Sequence, residues 1–338
     1  MSRPVALVLR ALYLGDMITG LPALRILRTV LPEHRIVLAA PSTAGSLALM
    51  AGLVDELTPA LELAELAGAP RSAEIGLDLH GNGPASRALV EQTAARRVIS
   101  YYGGSHLWHD TEHEVTRWCR LVSEAFSVPR PWPQLAGLLP VPPVPADQRG
   151  RTVVHPGAKA RSRQWPPGRY AEVARELAGA GHDVVVTGGP GEEVLAAEVA
   201  EKAGVGMLTD LALPQLLALV AQARLVICGD TGIAHIASVY ATPSVVLYGP
   251  VSPAKWGPPA AGPHRALWPT GNHRGDPHAD EPDPVLLRIS VTDVLAAVST
   301  VDGSARRTVP TRPPGNKPAG ELTQTAAVRR LGASRPTT

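Results

Sequence analysis

Aromatic side chains are scarce in this chain, making up 4% of its 338 residues, with a single phenylalanine. Ala, Leu and Val must therefore fill most of any core, and an apolar fraction of 45% against 18% charged is ample for that. Cysteine is nearly absent. Cys119 and Cys228 stand far apart and neither belongs to a C-x-x-C pair, which argues against a disulfide framework or a thiolate zinc site and fits a reducing compartment. Long apolar runs are missing too: Met1 to Leu12 is too short for a membrane span and lacks the residue order of a signal peptide. The expected location is cytoplasmic, with peripheral contact at the inner face of the membrane left open. A strong excess of either charge is also lacking. The formal net charge of +2 hides seven Lys or Arg against Asp302 and Glu321 in residues 301–338, so the body up to 300 carries −3. It offers no basic face for nucleic acid. There is no G-x-x-x-x-G-K-[ST], no G-x-G-x-x-G after the first strand and no H-E-x-x-H. Asp276, His278, Asp280, Glu281 and Asp283 read as a solvated loop, so no metal is expected.

The length favours two domains of about 150 residues each. Short continuous apolar runs, the mark of strands buried on both faces of a parallel sheet, recur along the chain. They fall at Val5–Leu9, Arg35–Ala39, Val54–Leu57, Glu74–Leu79 and Arg97–Tyr101, with helical patterns from Pro22, over Ser42–Ala51 and over Glu112–Phe126. Val128 to Asp147 is rich in proline and sustains neither helix nor central strand. Beyond it the rhythm restarts with strands at Thr152–His155, Asp183–Thr187, Leu225–Ile227 and Ser244–Leu247, and helices at Pro167–Ala178, Glu192–Ala203 and Pro214–Ala223. The organisation expected is an α/β chain: residues 1–128, a linker at 129–150, a second domain at 151–300, and a disordered basic tail at 301–338. Pro258 to Pro284 reads as an irregular loop, and Val291–Val298 as a last helix.

The stretch that organises the chain is Cys228-Gly229-Asp230-Thr231-Gly232-Ile233-Ala234-His235, a strand end, a tight turn and a helix start. Free N–H groups at such a start favour an anion. Two more loops of the second half share its edge of the sheet. One is His155-Pro156-Gly157-Ala158, leading to Lys159, Arg161 and Arg163; the other is Thr187-Gly188-Gly189-Pro190-Gly191-Glu192. Cations and glycine-lined donors suit the phosphates of a nucleoside diphosphate, and a carboxylate suits its ribose.

The first half offers Asp16 within Leu14-Gly15-Asp16-Met17, and His80 and Asn82 after the fourth strand. Asp16 either caps the next helix or serves as a general base, for which its ordinary pKa of about 3.9 is low. His80, Asn82, Tyr101 and Tyr102 are candidates for lining an acceptor pocket.

Taken jointly, these motifs resemble the heptosyltransferase-like glycosyltransferases of glycosyltransferase family 9. The resemblance runs from Val5 to about Val298. It is carried by Leu14-Gly15-Asp16-Met17 with Leu21-Pro22-Ala23-Leu24, and by His155-Pro156-Gly157-Ala158 with Arg163-Gln164-Trp165-Pro166. Gly229-Asp230-Thr231-Gly232, His235, Gly249-Pro250 and Trp256-Gly257-Pro258 complete it. It implies a GT-B fold, two Rossmann-like domains with parallel sheets facing across a cleft, acceptor on the first and donor on the second. The implied reaction is an inverting, metal-independent transfer of heptose or a similar sugar from a nucleoside-diphosphate sugar, with ADP-sugar favoured. The acceptor is a hydroxyl of a glycan, lipid or metabolite, as in cell-envelope glycan biosynthesis. Asp16 is implied as the base, and Arg163, Gly188, Gly189, Glu192, Asp230, Thr231, Gly232 and His235 as donor-binding residues. Arg163 stands where the family commonly has a lysine. Two alternatives share the architecture: a nucleotide-sugar epimerase and a non-catalytic sugar-nucleotide-binding protein.

Overall fold

The computed structural model describes residues 3–66, 68–129 and 134–308, the last six by backbone alone. The first half contains β1 (Val5–Leu9), α1 (Leu14–Val30), β2 (Arg35–Ala40), α2 (Ser42–Met50), β3 (Glu56–Pro59), β4 (Ile75–Asp78), α3 (Pro84–Glu91), β5 (Arg97–Ile99) and α4 (Glu114–Ala125). The second begins with β6 (Thr152–His155), α5 (Pro167–Gly179), β7 (Val184–Thr187), α6 (Glu193–Ala203), β8 (Gly206–Leu208) and α7 (Leu213–Ala221). It continues with β9 (Leu225–Gly229), α8 (Gly232–Tyr240), β10 (Ser244–Leu247), the short turn α9 (Pro253–Trp256), β11 (His264–Leu267), α10 (Pro284–Leu287) and α11 (Val291–Thr308).

These strands build two sheets, ordered β3-β2-β1-β4-β5 and β11-β10-β9-β6-β7-β8, with every pairing parallel. In each the chain steps outward from its first strand, then returns to that strand's other side. The order reverses between β1 and β4 and again between β6 and β9, and at such a reversal a crevice opens beyond the carboxyl ends of the strands. The apolar runs explain which strands are central. Ala6 to Leu9 of β1 and Leu225 to Cys228 of β9 are fully buried, and covering each such Leu or Val is worth about 2 kcal/mol.

Several elements depart from the sequence expectation. Helix α1 begins at Leu14 rather than at Pro22, and Pro22 sits inside it. The missing amide is tolerated because Met17, Ile18, Leu21, Leu24 and Leu27 are all fully buried along this helix. The edge strands β8 and β11 and the short helix α3 were not expected; β11 lies inside the stretch read as irregular. Helix α11 carries helical backbone to Thr308, into the stretch read as disordered, and the remainder of that tail lies outside the described residues. Tyr101 is buried, and its hydroxyl donates to the Arg117 carbonyl at 2.6 Å. It packs edge-on against Trp108, 5.2 Å between ring centroids, so it belongs to the core and not to an acceptor pocket. Tyr102 is exposed.

Candidate active site

The two sheets meet at the starts of α1 and α8. An added Cβ on Gly15 would stand 2.8 Å from Cδ2 of His235, and one on Gly232 would stand 3.2 Å from Cδ2 of Leu14. Two glycines thus let the first turns of the two helices touch. Neither helix receives a side-chain cap, from Tyr13 in one case or Thr231 in the other. At α1 the Asp16 carboxylate itself takes up the backbone N–H groups of Tyr13 and Asp16, while the start of α8 leaves backbone N–H groups and the positive end of its dipole facing the same place.

Two carboxylates answer that positive field, and an arginine adds to it. Asp16 lies in the first turn of α1, and Asp230 immediately follows β9. Arg163 ends the turn Arg161–Arg163 that follows β6. Arg163 Nη1 lies 3.8 Å from Asp230 Oδ2, and its Nε is buried without a hydrogen-bond partner among the described residues. Burial pushes the Asp16 carboxyl above its ordinary range, opposed by Arg10 and Arg163. Burial also pushes Asp230 up to about 6; Arg163 opposes the rise and Asp16 adds to it. His235 is held neutral, brought down to about 4 by burial and by the nearby His113 and Arg163.

Arg10 escaped the sequence reading. It follows β1 directly and its side chain is fully buried over the Trp118 ring, 5.1 Å from the centroid. Nε donates to the Asp16 carbonyl at 2.8 Å, Nη2 donates to that carbonyl and to Thr19 Oγ1, and Nη1 donates to the Leu79 carbonyl. One guanidinium therefore ties the start of α1 to the end of β4, the two segments that flank the reversal in the first sheet. Gly20 leaves room for it, since a Cβ there would lie 2.5 Å from Arg10 Nε. The available signal was a lone charge closing an otherwise apolar strand.

The other candidates fall into separate groups. Glu192 directly precedes α6 and accepts from Gly189 N–H at 2.8 Å. His155 Nε2 lies 3.6 Å from that carboxylate, and Gly157 leaves the space it occupies, because a Cβ there would collide with it. Gly188 is pressed against α6, where an added Cβ would stand 3.0 Å from that of Ala196. His80 follows β4 with Nδ1 buried and without a partner among the described residues, and burial together with Arg10 brings it down to about 4. Asn82 is exposed on the same loop. The structure thus brings Asp16, Arg163, Asp230, Thr231, Gly232 and His235 together, keeps Gly188, Gly189 and Glu192 as a second group beside β7, and leaves His80 next to Arg10.

Two contacts join the halves around this centre, His113 with Gly257 and Lys159 with Tyr13, and a third, Trp256 with His235, braces it from within the second half. His113 Nδ1 accepts from Val115 N–H, so Nε2 carries the proton and donates to the Gly257 carbonyl at 3.0 Å. Trp256 stands edge-on to His235, 6.1 Å between centroids. Lys159 Nζ lies 3.6 Å above the Tyr13 ring. Among the described residues, no three His, Cys, Asp or Glu side chains gather as a metal site, and no helix is long and apolar enough to cross a membrane.

A family model described as glycosyltransferase family 9 (heptosyltransferase) matches residues 87–268, more than half of the chain. The chain belongs to glycosyltransferase family 9. Asp16 lies N-terminal to the matched stretch of this family 9 chain. Lipopolysaccharide heptosyltransferase 2 of Salmonella typhimurium is 34% identical over 106 residues, covering 29% of this chain and 30% of that protein. Lipopolysaccharide heptosyltransferase 3 of Escherichia coli is 32% identical over 155 residues, 43% of this chain and 45% of that protein. These matches span less than half of either relative. In fold the likeness is broader. The family 9 glycosyltransferase of Veillonella parvula DSM 2008 superposes with a TM-score of 0.73 at 20% identity, over 90% of this chain and 99% of that one. The E. coli ADP-heptose lipopolysaccharide heptosyltransferase II gives 0.70 at 20%, over 89% and 99%. Two parallel sheets flanked by helices, a GT-B-like α/β fold, are therefore common to this chain and these family members.

Proposed function

We propose that this chain is an inverting, metal-independent glycosyltransferase with its centre at the meeting of α1 and α8. The observation that carries the reading is the junction itself: Asp16 from one sheet faces Arg163 and Asp230 from the other, over two adjoining helix starts. Residues 1–128 form the acceptor side and 151–300 the donor side of a GT-B cleft, with 129–150 as linker. A nucleoside diphosphate lies over β6, β7 and β9, its phosphates on Arg163 and the amides of Thr231 and Gly232, its ribose on Glu192 near Gly188 and Gly189. His235 remains neutral behind the sugar. His80 and Asn82 border the acceptor.

The chemistry follows from the charges. The acceptor oxygen attacks the anomeric carbon on the face opposite the diphosphate, and a C–O bond forms as the bond to the phosphate oxygen breaks. Asp16 accepts the hydroxyl proton, a task to which its raised pKa suits it. The departing nucleoside diphosphate gains negative charge, which Arg163 and the start of α8 stabilise; one such donor is worth on the order of 3 kcal/mol in the barrier. An ADP-sugar is the favoured donor, a choice supported by an E. coli heptosyltransferase of like fold that was solved with ADP-2-deoxy-2-fluoro heptose. Heptose or a similar sugar passes to a glycan, lipid-linked or small-molecule hydroxyl. The enzyme works in the cytoplasm, with peripheral contact at the inner face of the membrane. The test is Asp16→Ala, assayed for sugar transfer and for nucleotide binding. Transfer should be lost while binding stays close to wild type; a mutant that turns over normally, or one that no longer binds nucleotide, contradicts the role. An epimerase or a plain binding protein would show no transfer in the wild type.

A further inference from the structure

Beyond the carboxyl ends of β10 and β11, on the flank of the second sheet away from β7 and β8, lies a cavity of about 610 Å³. That is the size of a small-molecule site. Thr111 of the first half and Ser252, Lys255, Trp268, Asn272 and Arg274 of the second line it, and no acidic side chain does. Lys255 and Arg274 make no salt bridge with a described residue, whereas the lining His273 is engaged by Asp283 at 2.9 Å. The cavity is therefore lined by apolar and polar groups alike, carries two cations and has no internal counter-ion.

Its walls are fixed. Trp268 Nε1 donates to the Gly249 carbonyl at 3.0 Å, and Gly275 N–H donates to the Pro250 carbonyl at 3.0 Å, so the loops after β10 and β11 are bonded to each other. Gly275 has no room for a Cβ, which would collide with the Asp283 carboxylate. The cavity also adjoins the junction. Lys255 lines it, while the next residue, Trp256, packs on His235, and Gly257 accepts from His113.

We infer that this cavity holds an acidic substituent, a phosphate or carboxylate, of the acceptor. The inference rests on the glycosyltransferase reading. There the donor diphosphate occupies the loops after β6, β7 and β9, and the flank of β10 and β11, closed by Thr111 of the acceptor side, is left for the other substrate. A guanidinium and an ammonium without carboxylate partners suit a dianion, the first by a two-pronged grip and the second as a point charge.

The test uses inorganic phosphate as probe. The full-length protein is acylated with an amine-specific reagent, and labelling of Lys255 is followed by peptide mass spectrometry against Lys202, which is paired with Glu198 on the surface. Phosphate should slow Lys255 labelling by about threefold at twice its dissociation constant, since protection scales as 1 + [L]/Kd. Chloride at equal ionic strength should not. The protection should persist in Arg163→Ala and with ADP, UDP or GDP present, and should be lost in Arg274→Ala. No protection, equal protection of Lys202, or protection by nucleotide alone to which phosphate adds nothing would overturn the inference. Nucleotide binding by the wild type is read separately, so a chain that binds no nucleotide but protects Lys255 refutes the donor reading and leaves the anion site standing.

Discussion

Arg163 reaches across the start of α8 to Asp230, where Nη1 donates to the backbone carbonyl at a long 3.5 Å and lies 3.8 Å from Oδ2, too far to close a hydrogen bond with the carboxylate. The pair is near enough to attract and too far apart to satisfy either partner. Arg163 Nε is left buried and without a partner among the described residues, and Asp230, which burial pushes up to about 6, is a carboxylate that the fold only partly compensates. A junction held this loosely is built to be completed by something that brings negative charge to the arginine and hydrogen-bond donors to the aspartate. A sugar diphosphate brings both.

That partial compensation has a consequence for stability. The folded chain binds the Asp230 proton more tightly than the unfolded chain does, so its contribution to stability is present at low pH and is lost as pH rises from about 4 to about 6. Asp230→Asn removes the buried charge without changing the volume. Urea unfolding at pH 7.5 should show the variant more stable than wild type by on the order of 1–3 kcal/mol, with the advantage shrinking at pH 4.5. A variant that is less stable at both pH values would mean that the carboxylate is fully paired.

Arg10 is a positioning residue and its loss should cost more than activity. Arg10→Met keeps much of the volume but strands the Leu79 carbonyl, at a cost of about 1–3 kcal/mol for a buried group left unbonded, and leaves the Asp16 carbonyl with Thr19 Oγ1 at 2.8 Å in place of the guanidinium. The variant should unfold at markedly lower denaturant. It should also release His80 from a neighbouring positive charge, so that a histidine held down to about 4 titrates at higher pH by NMR. An unmoved His80 resonance in a folded variant would show that burial alone sets it.

Much of this was legible in the sequence, for one physical reason. Strands such as Val5–Leu9 and Leu225–Gly229 are covered on both faces and are written as unbroken apolar runs, and the loops after them follow directly. The elements that stayed hidden carry no such run. Strand β8 is Gly-Met-Leu at a sheet edge with Met207 exposed, and β11, His-Arg-Ala-Leu, exposes its middle residues. Helix α3 buries only Ser86, Leu89 and Val90, too few to declare a period. Gly15, Gly20 and Pro22 disguised the start of α1, since all three are poor helix formers; the first two are there for close approach to His235 and Arg10. Asp16 and Asp230 could be picked out one by one, but not their convergence, which depends on how two sheets are set against each other.

The convergence makes Gly15 sensitive in a way its helical position hides. Alanine at an ordinary helix site stabilises by about 1 kcal/mol over glycine. At Gly15 the new Cβ would stand 2.8 Å from the His235 ring, so the buried ring must be displaced or α1 and α8 must separate. Gly15→Ala should therefore leave thermal unfolding within a few degrees of wild type and reduce sugar transfer by an order of magnitude or more, a rise of at least about 1.4 kcal/mol in the barrier. Full transfer activity in this variant would show that the contact between the helices is not part of the working geometry.

The most direct check on the account is calorimetric titration of ADP, UDP and GDP, without added metal, into wild type and Arg163→Ala. One nucleotide, expected to be ADP, should bind the wild type and bind the variant about ten- to a hundredfold more weakly, as loss of a charge-assisted hydrogen bond requires. If no nucleotide binds the folded wild type, or if the variant binds as well as wild type, the donor does not sit at Arg163 and the junction of α1 and α8 is not the site of transfer.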